Sequence, residues 1–203
     1  MNFEPLFQLF SKIVTVVFSA FFSVSSLGSP LYKEPPKAPE DFTPVLRFAV
    51  CSDVHLSGDE GDINEARFRE LFNFTEQYSN SHESYKGFDA VMVCGDMTEW
   101  GREKEYISFS RVISEECPEG TQMLVCMGNH EFIEEREGEC EDAFANYKKY
   151  VNEDVDTHTV INGYHFIGLS YADKDENFGE KTKWLDAQIQ KAIADTGDKP
   201  IFV

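Results

Sequence analysis

Three short apolar runs, each broken off by a cluster of hard ligand atoms, constrain this chain more than any other feature. Phe48-Ala49-Val50-Cys51 leads through Ser52 to Asp53-Val54-His55. Val91-Met92-Val93-Cys94 leads to Gly95-Asp96-Met97-Thr98-Glu99, and Leu124-Val125-Cys126-Met127 to Gly128-Asn129-His130-Glu131. Apolar runs without alternation read as strands buried on both faces, as in parallel sheets. Ligands of open α/β sheets gather at the carboxyl ends of strands. Three strands that deliver carboxylate, imidazole and amide groups to one sheet edge make a metal site the first hypothesis.

The stretches between these runs read as crossover helices. After His55 and the loop Ser57-Gly58-Asp59-Glu60-Gly61, Asp62 is placed to cap a helix, and Glu65 three residues on to complete a capping box. Ala66, Leu71 and Phe74, with Phe68 and Phe72 flanking, mark an apolar face that runs to about Tyr78. Gly87 ends the connection, and a second strand is expected over Phe88 to Cys94. Gly101 opens a second helix with Tyr106, Ile107, Phe109, Val112 and Ile113 inward, and Met123 to Met127 forms the third strand. This alternation predicts right-handed crossovers and a parallel sheet. Further on, a helix is expected from about Glu139 to Tyr150. A hairpin then joins Thr157 to Val160 with Tyr164 to Ser170 through Ile161-Asn162-Gly163. Glu180 to Ala194 reads as an amphipathic helix with Trp184, Leu185, Ile189 and Ile193 inward, and Lys199 to Val203 begins another strand. Since a domain rarely stops partway into a buried strand, the 203 residues are read as the amino-terminal portion of a longer domain.

The formal charge is −19, from 18 Lys and Arg against 37 Asp and Glu, which argues against a basic nucleic-acid surface. An acidic chain still accepts a phosphate ester where bound cations reverse the local field. Cysteine usage contains no C-x-x-C, so thiolate zinc is improbable. Cys51, Cys94 and Cys126 end apolar runs and are read as buried free thiols, while Cys117 and Cys140 are candidates for a pair. At the amino end, Ile13 to Leu27 is an apolar run preceded by Lys12 and followed by Gly28. It has the size of a secretory h-region and is shorter than the ~20 residues of a membrane span. Residues 1–28 are therefore expected to form a signal peptide or signal anchor, and residues 29–44, with Pro30, Pro35, Pro36, Pro39 and Pro44, an extended proline-rich linker. The folded domain is expected over 45–203, in a secreted or membrane-anchored protein.

Asp53 and His55, two apart, face the same way if the strand pleat continues, so both reach one ion. Asp96 follows the tight Gly95, where a carboxylate can bridge two cations, and Asn129 and His130 add a carbonyl oxygen and an imidazole. Such mixed ligands suit Mn, Fe or Zn. Two ions roughly 3.5–4 Å apart polarise a phosphoryl oxygen and lower the pKa of a bridging water towards ~7. A lone D-x-H or G-D is more often a capping or turn device, and Gly128-Asn129 alone could be a simple turn. The three together, in this order and each after a strand, carry the reading.

D-x-H, then G-D-x-x-E, then G-N-H-E resembles the calcineurin-like metallophosphoesterase superfamily, over about Val45 to Val203. The second motif, Gly95-Asp96-Met97-Thr98-Glu99-Trp100-Gly101, is most similar to the cyclic-nucleotide-phosphodiesterase-like and purple-acid-phosphatase-like branches. The resemblance implies an α/β sandwich of βαβαβ type with ligands at the carboxyl ends of its strands, its second half incomplete here. It implies two metal ions, with Asp53 and His55 on the first, Asp96 bridging, Asn129 on the second, and His130 facing the substrate to stabilise or protonate the leaving oxygen. The implied reaction is hydrolysis of small-molecule phosphoric monoesters or diesters by attack of metal-bound hydroxide. Glu99 stands where the family often has Asp or Asn. The family's later ligands, a histidine just after a strand like Lys199 to Val203 and a G-H-x-H pair, have no counterpart in the sequence. His82, His158 and His165 lack that motif's neighbours and are read as ordinary surface or strand histidines. The rival reading is a catalytically inactive fragment or degenerate homologue that serves as a binding or structural module. A nucleotide-binding regulatory domain lacks support, because no glycine-rich phosphate loop precedes a helix.

Overall fold

The computed structural model describes residues 43–81 and 86–203. The expected leader and all of the linker except Thr43 and Pro44 lie outside the described residues, as does His82. No helix among the described residues is long and apolar enough to cross a membrane. In chain order the elements are β1 (Phe48–Cys51), α1 (Ile63–Asn80), β2 (Ala90–Cys94), α2 (Glu103–Glu116) and β3 (Gln122–Cys126). A 3-10 turn at His130–Phe132 runs into α3 (Ile133–Glu137), and α4 (Ala143–Tyr150) follows. The chain then forms β4 (Thr157–Ile161), β5 (Tyr164–Gly168), α5 (Lys181–Thr196) and β6 (Ile201–Phe202).

Strands β1, β2 and β3 make a parallel sheet in that order, in unbroken register from Phe48 opposite Ala90 to Cys94 opposite Cys126. Both faces of the central strand β2 are covered, which is why its run does not alternate, whereas on the edge strand β1 Val50 is 56% exposed. Val91, Val93 and Val125 pack against Phe68 and Phe72 of α1 and Tyr106 and Phe109 of α2. Ala90 and Leu124, on the opposite face, pack against Ile161 and Phe166 of a second sheet. Each fully buried aromatic contributes about 1.5–3 kcal/mol by leaving water.

In the second sheet β5 is central, antiparallel to β4 and parallel to β6. Asn162 and Gly163 take φ of 52° and 75°, the paired positive angles of a tight hairpin turn, as the Asn-Gly dipeptide predicts. The Asn162 amide donates to Val45 O and Asp89 Oδ1, both at 3.1 Å, and ties this turn to the start of the first sheet. Phe48, Phe166 and Phe202 meet between the sheets with ring centroids 4.7–5.2 Å apart. Helix α5 packs on the other face of the second sheet, giving a helix–sheet–sheet–helix sandwich.

Several side chains depart from the amphipathic reading. On α1, Phe68 and Phe72 are buried but Phe74 is 69% exposed, because at about 100° per residue position 74 points away from position 72. Ala66 is exposed as well. On α2, Tyr106, Phe109 and Val112 are buried and Ile107 is not; on α5, Ala192 takes the inward place and Ile193 faces solvent. Asp62 caps α1 by accepting from Asn64 N at 2.8 Å. Glu65 does not close a capping box, because it is drawn instead to Arg69 and Arg111 at 3.0 and 2.6 Å. The helix expected from about Glu139 starts at Ala143, where Asp142 accepts from Phe144 N. All five cysteines are free, so Cys117 and Cys140 do not pair. Cys94 is exposed rather than buried, while burial pushes the Cys51 and Cys126 thiols up to about 11.

Candidate metal centre

The parallel pairing of β1 and β2 does not stop with the strands. His55 N donates to Asp96 O at 2.9 Å, Leu56 N to Met97 O at 3.0 Å and Glu99 N to Leu56 O at 3.0 Å. The first two ligand loops therefore leave the sheet hydrogen-bonded side by side. The pleat itself does not persist, contrary to the expectation for Asp53 and His55. Asp53, His55 and Asp96 have φ of 56°, 50° and 51°, so all three sit in the left-handed region. Such a backbone costs about 1–3 kcal/mol per residue and collects at functional sites. Five non-glycine residues among those described have positive φ, and three of them are these candidate ligands. Their turns are held from outside: Asn64 Nδ2 donates to His55 O at 3.0 Å, and Asp96 N donates to Glu131 Oε2 at 3.0 Å.

The third loop is brought against the second by two glycines. A Cβ on Gly95 would lie 2.8 Å from Gly128 Cα, and one on Gly128 would lie 2.2 Å from Asp96 Oδ1. Only glycine at both positions lets the backbones meet this closely. Gly95 also requires its φ of 89°.

The result is a convergence of side chains. One ligand atom from each of His55, Asp96 and His130 lies within 4.8 Å of the others. The His55 and His130 rings meet edge to face at 4.3 Å, and His130 N donates to Asp96 Oδ1 at 3.0 Å. The Asn129 amide lies beside the Asp96 carboxylate; with its nitrogen turned inward it donates to both oxygens at 3.1 and 3.2 Å, and turned over it presents its oxygen there, the orientation a shared cation would need. Asp53 occupies the exposed flank, with Oδ1 3.7 Å from His55 Nε2 and a hydrogen bond from the Ser52 hydroxyl. All five residues predicted from the sequence thus gather at one sheet edge. The His130 ring stands directly beside His55 and Asp96.

The donor set fits a cation. His55 Nδ1 is buried with no hydrogen bond, although Glu99 Oε2 approaches it off-line at 3.1 Å. Carboxylates, imidazoles and an amide oxygen are the ligands that Mn, Fe or Zn prefer.

Three further groups position the site. Glu131 is 1% exposed, and its carboxylate accepts from Asp96 N and Gly128 N on one oxygen and from Thr98 N and Thr98 Oγ1 on the other, at 2.7–3.0 Å. Burial raises its pKa, opposed by those hydrogen bonds. It lies within the third motif, and its inward direction follows from α3 and the turn before it, which no local sequence signal marks. The carbonyl of Glu99 accepts from His130 Nδ1 at 2.8 Å and leaves the other ring nitrogen for chemistry. Ser170, after β5, accepts from Met127 N at 2.9 Å and fixes the end of β3; no local signal marks it.

A search of curated proteins finds no match to the chain. A family model for calcineurin-like phosphoesterases matches residues 46–198, a span that contains all three ligand loops and both sheets' first strands. A parallel sheet with helical crossovers, and a convergent metal-type cluster where its strands end, agree with that match, and the chain belongs to the calcineurin-like phosphoesterase family.

Proposed function

We propose that this protein hydrolyses phosphoric esters in a metal-dependent reaction, with a site similar to the cyclic-nucleotide-phosphodiesterase-like and purple-acid-phosphatase-like branches. The observation that carries the proposal is the meeting of His55, Asp96 and His130 at the ends of β1, β2 and β3. Two ions of the Mn, Fe or Zn type would supply an activated water and positive charge for the phosphoryl oxygens. Asp53 and His55 would hold the first, Asp96 would touch both, and Asn129 would hold the second through its carbonyl oxygen. His130, its Nδ1 fixed on the Glu99 carbonyl, holds Nε2 as the atom that moves a proton to the leaving oxygen. Asp53, His55 and Asp96 would give one ion the three protein ligands usual for a catalytic site, and Asp96 and Asn129 would contribute to the shell of the other. The metal dependence of turnover is the readout.

The test is hydrolysis of p-nitrophenyl and bis-p-nitrophenyl phosphate after chelator treatment and again after Mn²⁺ is restored. Turnover of either ester that appears only with metal supports the proposal. Bound metal without turnover above that of a ligand-free variant would favour the binding-module reading instead.

The apolar run at 13–27 and the prolines after it support export or membrane anchoring. Cell fractionation with amino-terminal sequencing checks this, and a cytosolic chain with Met1 intact would overturn it.

A further inference from the structure

His158 and His165 lie on the hairpin of β4 and β5, where His158 is opposite Ile167 and His165 opposite Val160. They are diagonal neighbours on the face that meets α5. Their rings are joined directly, His158 Nε2 to His165 Nδ1 at 2.7 Å. The outer nitrogens are each taken by the helix: His158 Nδ1 meets Gln188 Oε1 at 2.8 Å, and His165 Nε2 meets Asp195 Oδ2 at 3.1 Å. Gln188 and Asp195 are seven residues apart, two turns of one helix face, which matches them to the two rings.

With the Gln188 amide oxygen facing His158, both outer nitrogens carry hydrogen; with the amide turned, His158 Nε2 donates to His165 Nδ1 as an ordinary hydrogen bond. In the first orientation the inner nitrogens of neutral rings, His158 Nε2 and His165 Nδ1, present lone pairs to each other. Two lone pairs at 2.7 Å repel unless an electrophile lies between them. A proton is one such electrophile and a metal ion is the other. The surroundings are built for the second. An imidazole whose far N–H is held by a carboxylate or carbonyl is the usual metal-ligating arrangement, because the partner fixes the tautomer and raises the basicity of the ligating nitrogen. His165 is only 2% exposed and so fixed in direction, while a cavity of about 450 Å³ opens beside it, lined by His158, Val160, His165, Lys191, Ala194 and Asp195. That opening leaves room for solvent to complete a coordination shell.

We propose that His158 and His165 form a second metal site, separate from the centre at Asp96, that takes one divalent transition ion of the zinc, copper or nickel class. Bonds of about 2.0–2.1 Å at a tetrahedral angle put two nitrogens about 3.3 Å apart, so the rings open by about 0.6 Å to admit the ion. His158 is half-buried and makes that movement. The bound ion clips the hairpin to α5 through Gln188 and Asp195. Lys191 is the one cation lining the cavity, and it tempers affinity without occupying the ring nitrogens. The site shares no residue with the phosphoesterase centre, so either assignment can fail while the other stands.

The experiment is Zn²⁺ titration of the metal-free full chain against a chromophoric chelator, with circular dichroism to verify folding. His158→Ala is expected to bind one equivalent less than wild type, and Asp195→Asn to hold that equivalent about 10–100-fold more weakly. His55→Ala should retain it. Asp195 is exposed, so its variant remains informative if loss of a histidine unfolds the hairpin. Equal Zn²⁺ binding by wild type, His158→Ala and Asp195→Asn would overturn the proposal and leave the rings sharing only a proton.

Discussion

Asp96→Ala is expected to lose bound metal and phosphoesterase turnover together, the latter by ~10³-fold or more. That figure corresponds to several kcal/mol of charge stabilisation at the phosphoryl group. Asp96 lies beside His55, His130 and Asn129 at once, and no other carboxylate among the described residues joins that cluster. Gly128→Ala should do much the same while leaving Asp96 in place, since the new methyl group would lie 2.2 Å from its Oδ1. A carboxylate displaced by about 1 Å costs ~10²-fold, so this variant should fall short of the full loss. His130→Ala is expected to keep most of the metal and lose ~10²–10⁴ in rate, as removal of a general acid does. Metal content by mass spectrometry, read beside kcat, separates the three. Equal metal loss in His130→Ala and Asp96→Ala would make His130 a ligand and remove the proposed acid.

The part of this site that was legible in the sequence is the part fixed by strands. An apolar run within a sheet has to end where the sheet ends, so the sequence alone puts Asp53, His55, Asp96, Asn129 and His130 at one edge. Asn162-Gly163 announced the hairpin for a local reason as well, because both residues accept positive φ. What escaped was set by contacts distant in sequence. The left-handed turns depend on hydrogen bonds to Gly95 for Asp53 and to Asp96 and Asn64 for His55, which no reading of the first motif alone contains. Phe74 and Ile193 looked inward by composition, yet helix phase against particular neighbours turned them outward. His158 and His165 gave no signal in sequence because each needs the other strand, and α5, to acquire its partners.

Glu131→Ala is expected to be the most destabilising substitution at the centre, by about 3–5 kcal/mol. The wild-type carboxylate is almost wholly buried and accepts four hydrogen bonds, from Asp96 N, Gly128 N, Thr98 N and Thr98 Oγ1. Alanine strands those donors away from water, and each unsatisfied buried group costs about 1–3 kcal/mol before any relaxation. The sum exceeds the expected loss because the two loops can shift towards solvent, which is also how the metal centre would be damaged. At about 2–4 °C per kcal/mol for a domain of this size, Tm should fall by roughly 10 °C. Glu131→Gln keeps the volume but offers one acceptor oxygen, and its amide nitrogen faces donors on the other side. It should therefore recover only part of the stability, whichever way the amide turns. Urea unfolding of both variants, with metal content measured on the folded protein, makes the comparison. A Glu131→Ala protein within 1 kcal/mol of wild type would show that the buried carboxylate does not hold the second and third loops together. The close approach of Gly95 and Gly128 would then be left to keep Asp96 in register.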